Sequence, residues 1–254
     1  ARLEDSVALE ATAYGAYVGL AAQLEPGWTL SAAVGGAASD RDSAETRPAW
    51  RAAVSSPGRY PLTATLAYAH RPLDETALLI RRDVEVDELS LGVQLAPGTG
   101  LVLAAAGGWA EYRGNVSGEA NRRVHASLAL THRVARWFTL GAAVRSFAFE
   151  RDLDDGYFDP DAYAIAEWLG RFRREWRRWE LHADAAAGAQ QVGVEGTPGA
   201  TFRTGAGVAY LFGPGRRIGL SAAYANAGLS RLSPGDADEG YRYTAITLGG
   251  TWAF

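Results

Sequence analysis

The spacing of apolar residues constrains the fold of this chain more than any other feature of its sequence. Segments of about ten residues alternate large apolar side chains with small or polar ones, which is the period of a β-strand whose two faces meet different surroundings. The apolar residues occupy even positions from Trp28, and again from Val124, which Arg123 and His125 flank. Similar segments begin near Leu62, Leu89, Leu101, Phe138, Trp179, Phe202 and Ile246. We therefore predict an all-β protein.

The connections between these segments alternate between short and long. Short turns are predicted at Glu25–Gly27, Ser56–Gly58, Ala96–Gly98, Val134–Arg136, Arg173–Glu175 and Gly213–Gly215. Longer polar segments lie between them at Ser39–Pro48, Arg71–Arg82, Arg113–Asn121, Glu150–Pro160, Gln191–Ala200 and Gly228–Gly240. Short turns at one end and long loops at the other are typical of antiparallel up-and-down barrels of the outer membrane. The pattern predicts a closed transmembrane β-barrel.

The number of strands depends on how the first segment is read. Residues Ser6–Leu24 form either one strand, with a further strand upstream, or two strands separated by a turn at Tyr14–Gly15. We favour the split because bacterial single-chain barrels have an even number of strands. This gives about fourteen strands, within a range of roughly twelve to sixteen. We expect residues 1–254 to be one barrel domain, the C-terminal part of a longer protein.

The end of the chain carries a pattern of its own. Ile246, Leu248, Trp252 and Phe254 are apolar and lie on one face of the last predicted strand. The pattern resembles the terminal strand of bacterial outer-membrane proteins, which the barrel-insertion machinery recognises. With Phe254 at the periplasmic rim, the short turns are periplasmic and the long loops lie outside. We expect a bacterial outer-membrane protein in contact with lipid and lipopolysaccharide.

Composition excludes several other classes of protein. The longest nearly uncharged apolar run, Leu101–Ala110, is far shorter than the ~20 residues of a transmembrane helix. The chain has no cysteine, which excludes thiolate metal sites. Its net charge of −4 argues against a nucleic-acid partner. We expect a monomer without cofactor or metal.

The polar face of the predicted strands carries charged residues that a packed soluble core could accommodate only at high cost. A hydrated lumen accommodates them readily. These candidate lumen residues are expected to hydrogen-bond a passing sugar chain or a plug segment. They are Arg123, His125, Arg145, Glu180, His182, Asp184 and Arg203.

Several short motifs resemble a known family. They are Arg71–Thr76, Tyr112–Asn115, Ser117–Arg122 and, most specifically, Gly156, Tyr157, Phe158, Asp159 and Pro160, which lead into Tyr163. Over about two thirds of its length the chain resembles the C-terminal outer-membrane barrel of tetratricopeptide-containing exopolysaccharide export proteins, the group that includes cellulose synthase operon protein C. The resemblance implies a porin-like exit channel for a polysaccharide. The alternative is a structural or adhesive barrel with a closed lumen, whose outer loops bind partners.

Two further patterns leave alternatives open. Arg171, Arg173, Arg174, Arg177 and Arg178 are either interfacial anchors or an attractive surface for an anionic polymer or lipid phosphates. Glu180, His182 and Asp184 could act as an acid-base set, but the same spacing suits lumen polarity. No metal-helix or nucleophile-elbow motif accompanies them, and we do not expect an enzyme. Acidic residues at 152–161 could bind Ca²⁺ or simply be solvated.

Overall fold

A computed structural model describes residues 13–24, 27–39, 46–58, 61–73, 79, 82–153, 155–213, 216–226 and 243–252. They form thirteen β-strands: β1 (Ala13–Leu24), β2 (Trp28–Ser39), β3 (Arg47–Ser55), β4 (Leu62–Pro72), β5 (Glu85–Leu95), β6 (Leu101–Arg113), β7 (Ala120–Ala135), β8 (Phe138–Phe149), β9 (Tyr163–Trp176), β10 (Trp179–Val192), β11 (Gly199–Gly213), β12 (Arg216–Ala225) and β13 (Tyr243–Trp252). The strands form one sheet in chain order. The predicted all-β, antiparallel up-and-down meander is confirmed.

The connections alternate in length as predicted. Each connection after an odd-numbered strand is shorter than the connections on either side of it, although the β3–β4 connection (56–61) is as long as the β6–β7 connection (114–119). Gly27 closes the turn after β1 by donating its backbone N–H to the carbonyl of Leu24 at 2.6 Å. None of the described residues belongs to a helix that is long and apolar enough to cross a membrane.

One turn lies later in the chain than predicted. We expected the β9–β10 turn at Arg173–Glu175, but β9 continues to Trp176 and β10 begins at Trp179. Arg177, with a φ of 55°, and Arg178 form a two-residue hairpin turn. The prediction was wrong because a run of charged residues suggests a loop, whereas here it continues the alternation of a strand.

The predicted turn at Tyr14–Gly15 is also wrong. Both residues lie inside β1, where Tyr14 pairs with Ala38 and Gly15 with Ala37 of β2. The backbone pairing of β1 with β2 continues unbroken from Ala13 to Leu24, so the chain makes no turn at these positions. Residues 6–12 of the proposed first strand lie outside the described part of the chain.

Most strands have one face of large apolar side chains and one face of small or polar side chains, and the large apolar side chains are exposed, the reverse of a soluble β-sandwich. On the apolar face the large side chains are exposed, with Leu20 at 82%, Trp168 at 76% and Ile246 at 76% exposure. In β7 the apolar residues Val124, Leu128 and Leu130 are exposed, and Arg123 and His125, on either side of Val124, are partly buried. In β7 the alternation of the two faces agrees with the sequence pattern, and the assignment of the polar face to a lumen stays a prediction.

The chain divides into two compact units. The first comprises the described residues of Ala1–Val93, Ala106–Ala126 and Phe147–Asp161, and contains a buried apolar cluster made by loop residues and strand ends. The second comprises those of Gln94–Ala105, Ser127–Ser146 and Ala162–Phe254. The expectation of one barrel domain within a longer protein stays a prediction.

The residues of the predicted terminal signature lie in or beyond β13. Ile246 and Leu248 are on its apolar face and are highly exposed. Trp252 is the last residue of the strand and pairs with Arg216 of β12. The Trp252 side chain and the whole of Phe254 lie outside the described residues, so this motif stays a prediction.

Candidate functional site

A buried carboxylate on β9 organises the polar face of the second unit. The Glu167 side chain is 1% exposed and accepts hydrogen bonds from two of the predicted lumen arginines. Arg203 donates to both carboxylate oxygens, through Nε at 2.9 Å and Nη2 at 3.2 Å, and Arg145 donates through Nη2 at 2.6 Å. The residue opposite Glu167 on β10 is Gly188. Because it has no side chain, it leaves room for Arg203 of β11 to reach across β10 to Glu167. The Glu167 carboxylate and the guanidinium groups of Arg145 and Arg203 form a cluster with one net positive charge, which we call the Glu167 clamp.

Arg123 and His125 belong to a second group on the polar face, in the first unit. Both face Glu88 of β5, whose Oε1 lies 3.5 Å from Arg123 Nη2 and 3.7 Å from His125 Nε2. The Arg123 guanidinium also lies 5.2 Å from the centre of the Tyr112 ring. This arginine therefore supports the aromatic residues at the loop ends of the strands as well as carrying charge.

Glu180 and His182 lie near the turn ends of the strands in the second unit, on the polar face of β10. Glu180 lies between Arg173 of β9, with Nε to Oε1 at 3.8 Å, and Arg217 of β12, with Nη1 to Oε2 at 3.5 Å. Unlike the Glu167 clamp, these ion pairs are long, and both arginines are largely exposed. The group is open to solvent and accessible to a solute.

The predicted acid-base trio does not form a hydrogen-bonded set. Glu180, His182 and Asp184 alternate along β10 and share its polar face. Within the described residues no hydrogen bond joins His182 to either carboxylate, and Glu180 is engaged by arginines. The geometry favours surface polarity over proton transfer, and the absence of enzymatic activity stays a prediction.

The predicted family motif, Gly156–Pro160, lies in the β8–β9 connection and organises the loops of the first unit. Asp159 accepts hydrogen bonds from the backbone N–H of Leu153 at 2.6 Å and from Asn121 Nδ2 at 3.1 Å. Asn121 is fully buried and also bonds both backbone groups of Arg151. Asp155, likewise buried, accepts from the backbone N–H of Ser117 at 2.9 Å. These acidic residues hold neighbouring loops together.

Burial changes the chemistry of this motif. Loss of solvation raises the pKa of Asp159 to about 6, despite the opposing hydrogen bond from Leu153. Burial also raises the pKa of the Tyr157 phenol well above its usual range. Gly156 adopts a φ of 85°, a conformation that favours glycine. In the described residues, no group of three or more histidine and carboxylate side chains is placed to hold a metal ion.

Tyr157 is part of the apolar cluster of the first unit. Its ring lies 4.9 Å from that of Tyr112 and 5.5 Å from that of Phe149, measured between centroids. Leu73, Leu79 and Val84 of the β4–β5 connection are buried in the same cluster. Loop side chains therefore cover the loop ends of the polar face of these strands.

The sequence analysis did not predict several of the partners. Glu167, Glu88 and Arg217 complete the groups around the predicted lumen residues, together with Arg173, which the sequence indicated only as a member of the arginine cluster. The alternation of Ile165, Glu167 and Leu169 with small or exposed residues was a usable signal for Glu167.

A polar group on the apolar face was also missed. Asp87 of β5 accepts hydrogen bonds from Tyr68 Oη at 2.6 Å and Arg113 Nη1 at 3.0 Å, and lies 3.0 Å from His70 Nδ1. The ring of His70 stacks on that of Trp50, with centroids 3.9 Å apart. These residues lie toward the loop ends of β3–β6, beyond most of the exposed apolar side chains.

The fold has a counterpart among solved structures. It resembles a chain described as a bacterial polysaccharide outer membrane secretin, with a TM-score of 0.72 and 13% sequence identity over 95% of this chain and 80% of that one. No protein-family model and no curated protein sequence matches the chain. At this identity the likeness establishes a shared fold.

Proposed function

We propose that this chain forms a closed outer-membrane β-barrel that conducts a polysaccharide out of a bacterial cell. The observation that carries the proposal is the reversed burial of the two faces, with large apolar side chains exposed on one face and Arg123, His125 and Glu167 partly or fully buried on the other. Lipid is the solvent that stabilises such an apolar surface, and it requires that no strand edge be left unpaired. We therefore propose that the sheet closes on itself.

The polar face suits a water-filled passage for a hydroxyl-rich polymer. The clamp at Glu167 and the groups at Glu88 and Glu180 place guanidinium and carboxylate groups along this face. Such groups exchange hydrogen bonds with sugar hydroxyls without a metal or cofactor. The likeness to a polysaccharide outer membrane secretin supports the same function. Membership in the cellulose synthase operon protein C group, which the loop motifs suggested, belongs to this proposal.

The proposal includes a location and a set of partners. Arg177 lies 5.5 Å from the ring of Trp176, and Arg178 Nη1 lies 3.4 Å from Tyr210 Oη, an arrangement suited to lipid headgroups at the turn ends. We propose that the Asp87 group, which lies toward the loop ends of its own strands, contacts lipopolysaccharide. We propose a monomer that the barrel-insertion machinery assembles and that has no enzymatic activity.

Conductance measurements test this function. The folded full chain would be reconstituted in planar bilayers, and its single-channel current would be recorded with and without neutral oligosaccharides of increasing length. We expect stable conductance steps that the oligosaccharides reduce. A chain that inserts but gives no current, even after its loop contacts are weakened, would exclude export.

A second function is favoured by the apolar cluster of the first unit. Loop residues Leu79 and Tyr157 pack on strand residues of the polar face, as a closed structural barrel would require. In that case the variant E180Q/D184N would change only stability. In an export channel the same variant would also change conductance.

A further inference from the structure

The polar face of the second unit contains an open pocket near the turn ends of β9–β13. Its volume is about 430 Å³, within the range of small-molecule sites. Charged and hydroxyl-bearing side chains line it, namely Arg173, Glu180, His182, Arg217, Ser221 and Thr247. In the proposed barrel this pocket lies at the periplasmic end, where an exported chain would enter. The inference that follows rests on the proposed function.

The two arginines of the pocket retain unused hydrogen-bonding capacity. Each guanidinium has five N–H donors, and Glu180 approaches one nitrogen of each at 3.8 and 3.5 Å. A strong charge-assisted hydrogen bond of this type is about 2.7–2.9 Å long. The Arg173 side chain is 70% exposed and that of Arg217 is 54% exposed. Within the described residues, neither makes an ion pair with any group other than Glu180.

The rest of the pocket allows a ligand to come close to the strands. Gly219, Gly249 and Gly250 leave part of its wall as bare backbone. His182 and Ser221 add a ring nitrogen and a hydroxyl beside the arginines. A sugar ring can therefore rest against backbone while its substituents reach the guanidinium groups.

The charged side chains that line the pocket favour an anion. Arg171, on the polar face of β9, pairs in register with Asp184 of β10, and Arg173 pairs with His182. Among the residues that line the pocket, Arg173, Arg217 and Glu180 sum to one net positive charge, whereas Glu175, which pairs with Glu180 across the hairpin, is not part of the lining. Glu180 holds the two guanidinium groups on either side of a gap without saturating them.

We propose that this pocket is an entry subsite for a carboxylate-bearing sugar, so that the exported polymer is an acidic polysaccharide of the uronate class. A sugar carboxylate would accept two parallel hydrogen bonds from one guanidinium fork while Glu180 keeps the other arginine in place. The five clustered arginines of the sequence then divide by role. Arg173 faces the subsite, whereas Arg177 and Arg178 lie in the turn.

Binding of defined oligosaccharides to the folded full chain in detergent micelles tests the subsite. The probes are a galacturonate hexamer, a neutral glucose hexamer and inorganic phosphate, measured by calorimetry. We expect the galacturonate hexamer to bind the wild-type chain at least tenfold more tightly than the other two probes. The preference should weaken as salt is raised, because both arginines are exposed.

Matched variants locate the binding. R173Q/R217Q should lower the affinity for the galacturonate hexamer at least tenfold, and R173K/R217K should lower it by less, because lysine keeps the charge but loses the fork. R177Q/R178Q removes the same charge from the turn and should change affinity less than twofold. Equal losses in the two glutamine pairs would overturn the assignment.

The remaining outcomes separate this inference from the proposed function. Equal binding of the neutral hexamer, or no binding of the acidic one, would overturn the uronate subsite even if the chain conducts. Equal binding of phosphate would identify a general anion site and would overturn the sugar assignment. A chain that binds the acidic hexamer in micelles but never conducts would keep the subsite and refute export.

Discussion

The imidazole of His182 lies across the backbone of Gly207 on the neighbouring strand. A Cβ atom added at residue 207 would lie 2.5 Å from His182 Nε2 and 3.1 Å from the Cβ of Ser221. Glycine at this position therefore allows an imidazole to lie flat on the sheet within the proposed subsite. The close approach of side chain to backbone is a reason for glycine inside a strand, where it would otherwise weaken the structure.

Replacing Gly207 by alanine should destabilise the chain. The added methyl group would push His182 and Ser221 away, and overpacking of this kind costs about 1–3 kcal/mol. The free energy of unfolding in lipid vesicles, measured with denaturant, checks this. The double variant G207A/H182A should recover most of the loss because the clashing ring is gone.

A control for this variant is Gly92→Ala. Nothing lies within 4 Å of a Cβ added at Gly92, so its stability should change by no more than about 0.5 kcal/mol. Equal losses for G207A and G92A would show that the backbone conformation, and not the His182 contact, requires glycine.

Glu167 and Glu180 should differ sharply in their contribution to stability. E167Q would leave Arg145 and Arg203 without the carboxylate that pairs with both, and because these arginines stay 34% and 35% exposed, the loss should cost about 1.5–3 kcal/mol. E180Q removes only long contacts to exposed arginines and should cost less than about 1 kcal/mol. Denaturant unfolding of the two variants in the same vesicles gives the comparison. Similar costs would contradict the distinction between a buried clamp and an open pocket.

The sequence predicted the strand faces well because alternation is a local property. Whether Arg203 and His182 lie on the polar face follows from counting residues along one strand. Their partners were harder to predict because they depend on register between strands. Glu167 lies opposite Gly188 on β10, and Arg203 of the next strand reaches over that glycine to it. No spacing within the sequence encodes such a contact.

The position of the β9–β10 turn could not be predicted for a related reason. Arg173, Arg174 and Glu175 suggest a solvated loop when taken alone. In the structure Arg173 pairs with His182 and Glu175 with Glu180 across the hairpin. These charged residues therefore lie in paired strands and not in a loop. A short run of charges indicates exposure to water, which a loop and the polar face of a strand can both provide.

The stability of the loops should depend on pH through Asp159. In the folded chain the pKa of the Asp159 carboxyl is about 6, whereas its ordinary value is 3.8. Between these values the folded state binds more protons than the unfolded state, so the free energy of unfolding should fall as pH rises from about 4 to about 6. Denaturant unfolding at a series of pH values measures the change.

Asparagine at residue 159 should remove this dependence. D159N resembles the protonated acid in being neutral and keeps an oxygen that can accept from Leu153 and Asn121. Its free energy of unfolding should be nearly constant over the same pH range. D161N alters an exposed acid of the same loop and should keep the wild-type dependence. A pH dependence that survives in D159N would place its origin in another group.

Tyr157 should control access along the polar face of the first unit. Its ring packs against Tyr112 and Phe149, and its truncation to alanine removes a buried aromatic anchor, which costs about 3–5 kcal/mol in a packed core. This loss of stability should loosen the β8–β9 loop first, because β8 and β9 keep their backbone hydrogen bonds. Y157A should therefore increase both conductance and proteolysis of residues 150–160, whereas Y157F keeps the ring and should resemble the wild type in both. An increase in proteolysis without any change in current would mean that the loop does not restrict the channel.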